Sequence, residues 1–249
     1  VTITDYQALV QQELNIWGLE MRKKPSLFDR ASKNLQERIN RKIPEKVHRG
    51  ISLAFRELIS AVLSGSAFVG DAPRVEKESL QTKDLLARDK INFYKRTAAA
   101  EGTVTGAGGI LLGLADLPLW LGIKMKMLSS IAAVYGFDLK DYKERIFLLQ
   151  VFQLTFSGRK HRKMIYDTVA NWEAYSKTLP EDIKKFDWQA FQQEYRDFLD
   201  IAKLLQLIPG VGAFVGAYVN HRYTERLGRD AINAYRLRLI NGSHGNNQS

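Results

Sequence analysis

Apolar residues recur along this chain at three- and four-residue intervals, and nowhere in an alternation long enough for a sheet strand. Over residues 4–21 the apolar face is Tyr6, Val10, Leu14, Trp17 and Met21. Thr4 with Gln7 has capping-box spacing, and Arg22, Lys23 and Lys24 before Pro25 mark the end of that helix. A second helix is predicted over 27–42, with Phe28, Ala31, Leu35 and Ile39 inward and Arg30, Lys33, Arg38 and Arg41 outward. A third opens after Pro44 and repeats through Val47, Ile51, Phe55, Leu58 and Val62. Residues 64–73 read as a loop, followed by a charged helix to about residue 100 containing Leu80, Leu86, Phe93 and Tyr94. That charged helix is expected to be mostly solvated or to cover another layer.

The pattern then changes. Gly102, Gly106, Gly109 and Gly113 are spaced four, three and four apart and fall on one helical stripe, which reaches Asp116 after three more residues. Each interior glycine costs a helix about 1 kcal/mol against alanine, so the stripe calls for close approach by another backbone or a ligand. Pro118 breaks the helix, with Asp116 placed to cap the next one, over 117–135, stopped by Gly136. That next helix is apolar on nearly every side, with Lys124 and Lys126 its only charges. Asp141 with Glu144 opens another buried helix, over 145–156. Arg159, Lys160, Arg162 and Lys163 are read as a basic turn, with helices over 163–177 and 187–207. A second apolar stretch, 204–219, carries Gly212 and Gly216, and the same spacing leads to Asn220. A last helix is predicted over 211–239, then a flexible tail over 241–249. The fold class is all-α, a single helical domain over 1–240 with the two Gly-rich apolar segments packed together.

Composition narrows the partners. A net charge of +10 favours an anionic one, either nucleic acid or an anionic membrane surface. The apolar runs favour the membrane, and no nucleic acid is expected. Thirteen uncharged residues over 103–115 make roughly 20 Å of helix, short of a hydrocarbon core of about 30 Å, and the 204–219 run is interrupted by Pro209 and Gly210. Simple spanning by these runs is therefore excluded, leaving core helices or a shallow hairpin. With no cysteine there is no disulfide framework or thiolate metal site, and the four histidines show no ligand spacing. No metal and no cofactor are expected. The N-terminal residues lack the pattern of a secretory signal, so the expected location is cytoplasmic, on the inner face of the cell membrane.

The candidate ligand or packing site is Gly106, Gly109, Gly113, Asp116, Gly212, Gly216 and Asn220; Arg159, Lys160, Arg162 and Lys163 are the candidate contact to an anionic surface. Asp116 is the single candidate for acid chemistry, because burial among apolar residues would raise its pKa. Gly106, Gly108 and Gly109 do not make a phosphate loop, since no strand precedes them and no lysine follows.

Five segments together resemble the bacterial EcsC protein family. They are Ile43-Pro44-Glu45-Lys46-Val47, the run TGAGGILLGLADLP ending at Pro118, and the stretch from Ser130 through Tyr135-Gly136-Phe137 to Leu139. The others are Ile208-Pro209-Gly210-Val211-Gly212-Ala213 and then Gly216-Ala217 with Asn220. The resemblance covers about residues 15–240. It implies a bacterial protein from a family named for a gene beside two components of an ABC transporter, and it supplies no reaction, cofactor or catalytic residue. Three readings follow: a non-enzymatic membrane-associated protein that contacts or holds lipid, an interaction subunit of a transporter, and a soluble hydrolase using Asp116 and Asn220.

Overall fold

The computed structural model describes residues 3–24, 45–65, 75, 77–102, 117–198 and 213–245. These are helical with no strand among them. The helices are α1 (Ile3–Arg22), α2 (Glu45–Ser64), α3 (Leu80–Gly102), α4 (Leu117–Tyr135) and α5 (Tyr142–Phe156). They continue as α6 (Arg159–Ala170), the short α7 (Trp172–Ser176), α8 (Trp188–Phe198) and α9 (Ala213–Gly245). The second helix foreseen over 27–42 lies outside the described residues, as do both ends of the loop's interior, 66–74.

At the centre stands α9, 33 residues and about 50 Å long. It packs against α3, α4, α5, α1 and α6. On one side α4 presents Leu121, Met125, Leu128 and Ile131 to the core, and α5 adds Phe147, Val151, Phe152 and Phe156. Each such side chain, fully buried, contributes roughly 1.5–3 kcal/mol of transfer free energy, so α4 is held by packing over most of its surface, with Leu119 and Lys126 left exposed. Leu117–Tyr135 is long and apolar enough to cross a bilayer, yet 67% of its most apolar window is buried among the other helices.

The helix ends follow local chemistry. Asp141 caps α5 by accepting the Lys143 N–H at 2.8 Å, as the Asp141/Glu144 pattern predicts. At the end of α4, Gly136 takes φ +94°, its N–H bonding to Ala133 O at 3.0 Å and that of Phe137 to Ala132 O at 3.0 Å. That is a Schellman ending, and a side chain at 136 would strain it.

Several boundaries differ from expectation. Where the sequence places one helix over 163–177, it divides at Asn171, which leaves helical geometry at φ −109° and ψ 33° while its side-chain amide donates to Asp167 O at 2.8 Å. The residues read as a basic turn form the first turn of α6. Helix α9 continues past residue 239 to Gly245. Most consequential is α3, which begins at Leu80 because Ser79 Oγ accepts the Thr82 N–H at 3.2 Å. Its inward line is Lys83, Asp84, Ala87 and Ile91, while Phe93 is exposed. Of the two expectations for this helix, solvated or covering another layer, the second holds: it is the most extensively packed partner of α9.

That packing rests on a glycine the stripes did not include. A Cβ on Gly228 would lie 2.4 Å from both Cγ1 and Cδ1 of Ile91, so α3 and α9 meet through bare backbone. Gly228→Ala should cost about 1–3 kcal/mol, the usual range for overpacking, and Ile91→Ala in the same chain should recover more than additivity allows. Thermal unfolding of the two single variants and the double variant measures this; a neutral Gly228→Ala would mean the two helices separate freely.

Candidate functional site

The directions of the helices locate the site. Trp120 Nε1 donates to Asn220 Oδ1 at 2.8 Å, Lys124 Nζ donates to Thr224 Oγ1 at 2.6 Å, and Tyr135 stacks on Tyr235 with centroids 5.7 Å apart. Equal steps along both helices mean that α4 and α9 run parallel. Against α9, α3 runs the other way: Asp84 meets Arg236 at 2.7 Å and Lys95 meets Glu225 at 3.2 Å. So does α1, through Glu13 to Arg236 at 2.6 Å and Trp17 to Asp230 at 3.0 Å. Helix α5 is likewise antiparallel to α9, through Glu144 to Arg238 at 2.6 Å and Thr155 to Asp230 at 2.9 Å. Two further contacts, Arg145 Nε to Leu63 O at 3.0 Å and Gln153 Nε2 to Tyr195 O at 3.4 Å, set α2 antiparallel and α8 parallel to α5.

One consequence follows for the whole molecule. The C-terminal ends of α1, α3, α5 and α8 and the N-terminal ends of α2, α4, α6 and α9 share one pole. Residues 25–44, 103–116 and 199–212 therefore each leave and rejoin the described helices at that pole. Two of the three segments carry the glycine stripes, and the third carries Arg30, Lys33, Arg38 and Arg41.

The pole is floored by a polar cluster between α4 and α9. Lys124 is fully buried, bonded to Thr224, with its ammonium 5.2 Å from the Trp120 ring centroid. Thr224 Oγ1 also donates to Asn220 O at 2.7 Å. Phe156, at the end of α5, packs on Trp120 and Tyr223 with centroids 5.8 and 5.7 Å away. Around the rim Arg22, Lys23 and Lys24 close α1, Lys46 and Arg49 open α2, and Lys95 and Arg96 lie in the last two turns of α3. Arg222 and Arg226 occupy the early turns of α9, and Glu20, Glu45, Glu101 and Glu225 are the acids among these turns. Arg159 and Lys163 are exposed on α6, but Arg162 is buried against Ser157, whose carbonyl accepts from it at 3.1 Å. The basic residues read together as one solvated run are thus divided by the helix into outward and inward sets.

Of the residues singled out from sequence, Gly106, Gly109, Gly113, Asp116 and Gly212 lie outside the described residues, and Gly216 lies in the first turns of α9. Asn220, named with Asp116 in the hydrolase reading, accepts the Trp120 Nε1–H on its Oδ1. Sequence reasoning drew nothing from Trp120, and the one signal was available: the spacing of four from Gly212 through Gly216 and Asn220 continues to Thr224 and Gly228.

A helical bundle with a basic pole, at which the Gly-rich segments attach, defines an all-α protein of a particular class. The chain belongs to the EcsC protein family, whose model matches residues 8–240. It is 43% identical over 243 residues to Protein EcsC of Bacillus subtilis (strain 168), covering 98% of this chain and all of that protein. It is 29% identical over 168 residues to the uncharacterized protein YdbA of the same organism, covering 67% of this chain and 61% of that one. No solved structure matches it.

Proposed function

We propose that this protein is a peripheral membrane protein that meets lipid with the pole at which 25–44, 103–116 and 199–212 attach, without catalysing a reaction. The observation that carries this is that the helix ends flanking 25–44, 103–116 and 199–212 all lie at one end of the bundle, beside the basic start of α6. Apolar segments too short to span a bilayer can enter its near leaflet, while lysines and arginines around them meet anionic head groups at about 1 kcal/mol each. Trp120 and Tyr223 near this end suit an interface that is apolar on one side and wet on the other. The family's namesake gene stands beside ABC-transporter components, and a membrane-bound transport system is the partner this reading favours.

The full chain should sediment with vesicles containing anionic lipid and stay in solution with neutral ones. Raising salt should release the electrostatic part, since exposed charges are screened over about 10 Å at 0.1 M. Pelleting that survives salt would show apolar insertion adding to charge. Equal recovery in the supernatant with both kinds of vesicle would defeat the reading.

A further inference from the structure

Helix α1 carries a second apolar stripe that the bundle does not use. Val10, Leu14, Trp17 and Met21 form its inward line and are buried. Leu9, Ile16 and Leu19 point the other way, at 48%, 61% and 70% exposure. At 3.6 residues per turn this outward line lies about 160° round the helix from the inward one. Asp5, Leu9, Gln12, Ile16, Leu19 and Lys23, all exposed, follow one another at intervals of four, three, four, three and four. That alternation is the seam of a coiled coil. A single exposed leucine is ordinary, but three on one seam of a helix about 30 Å long make a patch of the kind another surface covers.

The stripe has the same spacing read from either end. Laid antiparallel against a second copy, it sets Leu9 opposite Leu19, Gln12 opposite Ile16 and Asp5 opposite Lys23, since each pair is centred on position 14. No other antiparallel alignment brings all six positions into register. Charge favours the same direction. The first turn holds Asp5, the last holds Arg22, and Lys23 and Lys24 stand just beyond it. Antiparallel packing sets each acidic start beside the partner's basic end and opposes the two helix dipoles, whereas parallel packing sets like charge against like. Gln12 interrupts the apolar run once, as polar seam residues that fix register do. The stripe runs down the flank of the bundle, along α9, so a membrane met by the pole would leave it uncovered.

We infer that the outward face of α1 is a dimer interface, on which a second copy of this chain pairs antiparallel along Leu9, Ile16 and Leu19, about a two-fold axis at the level of Leu14. The inference goes beyond the membrane reading and does not rest on it. The two basic poles of such a dimer point in opposite directions.

One seam between two helices is at the small end of stable interfaces, so the dimer is expected to be concentration-dependent. Sedimentation equilibrium of the full chain from low to high micromolar concentration should show a mass rising from 28.4 kDa toward twice that. Leu19→Glu should weaken the dimer about tenfold or more in Kd, with unchanged circular dichroism because the position is exposed. Lys23→Glu should weaken it severalfold, and Asp5→Lys in the same chain should recover it. The chain has no cysteine, so Leu9→Cys and Leu19→Cys each carry a single reporter thiol. Under mild oxidation a mixture of these two variants should form a disulfide-linked pair. Neither alone should, because like positions lie ten residues, about 15 Å, apart across the axis. A wild type that stays at 28.4 kDa throughout leaves the stripe to another occupant and overturns the interface. A dimer indifferent to Leu19→Glu overturns it too, as does cross-linking of each cysteine variant with itself rather than with the other.

Discussion

Asp84→Asn should destabilise the protein by about 3–5 kcal/mol, the range for removing one member of a buried ion pair, and lower Tm by roughly 6–20 °C. Asp84 and Arg236 are 1% and 2% exposed. Asp84 Oδ2 accepts from Arg236 Nε at 2.9 Å and Nη2 at 2.7 Å and from Tyr6 OH at 2.5 Å, and Oδ1 accepts from the Tyr135 hydroxyl. Glu13 takes Arg236 Nη1 at 2.6 Å. One carboxylate thus ties α1, α3, α4 and α9 together. Burial opposes the charge on Arg236, and the Asp84 carboxylate outweighs it and holds the guanidinium above its ordinary range. Burial and the same carboxylate raise both phenols, keeping them neutral donors. An asparagine keeps the shape but leaves a buried cation opposite a neutral amide, with the half-exposed Glu13 as its remaining counter-charge. Asp84→Leu with Arg236→Met should recover most of the loss, because removing both charges removes the desolvation cost too. Urea unfolding of the three variants decides this; a loss below about 1 kcal/mol in Asp84→Asn would show that water reaches the pair.

Nothing in the local sequence around Asp84 signals this role. Lys83 and Asp84 lie on a helix whose apolar residues are sparse, and periodicity assigns charged positions to solvent. The partner of Asp84 is 152 residues away, so the inward face of α3 is set by tertiary pairing. Where signals are local they were legible: Asp141 as a cap, Gly136 as a left-handed stop, and the all-apolar α4 as a buried helix. The two lysines of α4 illustrate the boundary. A helix apolar all round requires its lysines to pair or reach out, and Lys124 pairs while Lys126 is exposed, but only the structure names Thr224 and Trp120 as the partners. The candidate site was legible as a composition, glycines and bases, rather than as a place. Chain direction brings the two stripes' attachment points to one pole, and direction is a property of packing that no single segment encodes.

Arg238→Met should cost about 3–5 kcal/mol and Arg238→Lys about 1.5–3 kcal/mol, by a mechanism separate from the pole. The Arg238 guanidinium grips Glu144 with both ends of its fork, at 2.6 and 2.8 Å, and lies over the rings of Phe137 and Phe147 at 4.1 and 4.5 Å. Burial works against its charge, and Glu144, only 12% exposed, overcomes that and holds it up. Lysine keeps the charge but loses the bidentate grip and the flat stacking surface, so the substitution is not conservative here. Loss of near-ultraviolet dichroism from the Phe147, Trp172 and Tyr235 cluster should accompany the fall in Tm. Arg238 stands twelve residues beyond Arg226 on α9, about 18 Å along the axis, at the end away from the attachment points. At a temperature where Arg238→Lys is fully folded, it should sediment with anionic vesicles as the wild type does. Vesicle binding lost in step with stability would show instead that the pole and the core of the bundle act as one unit.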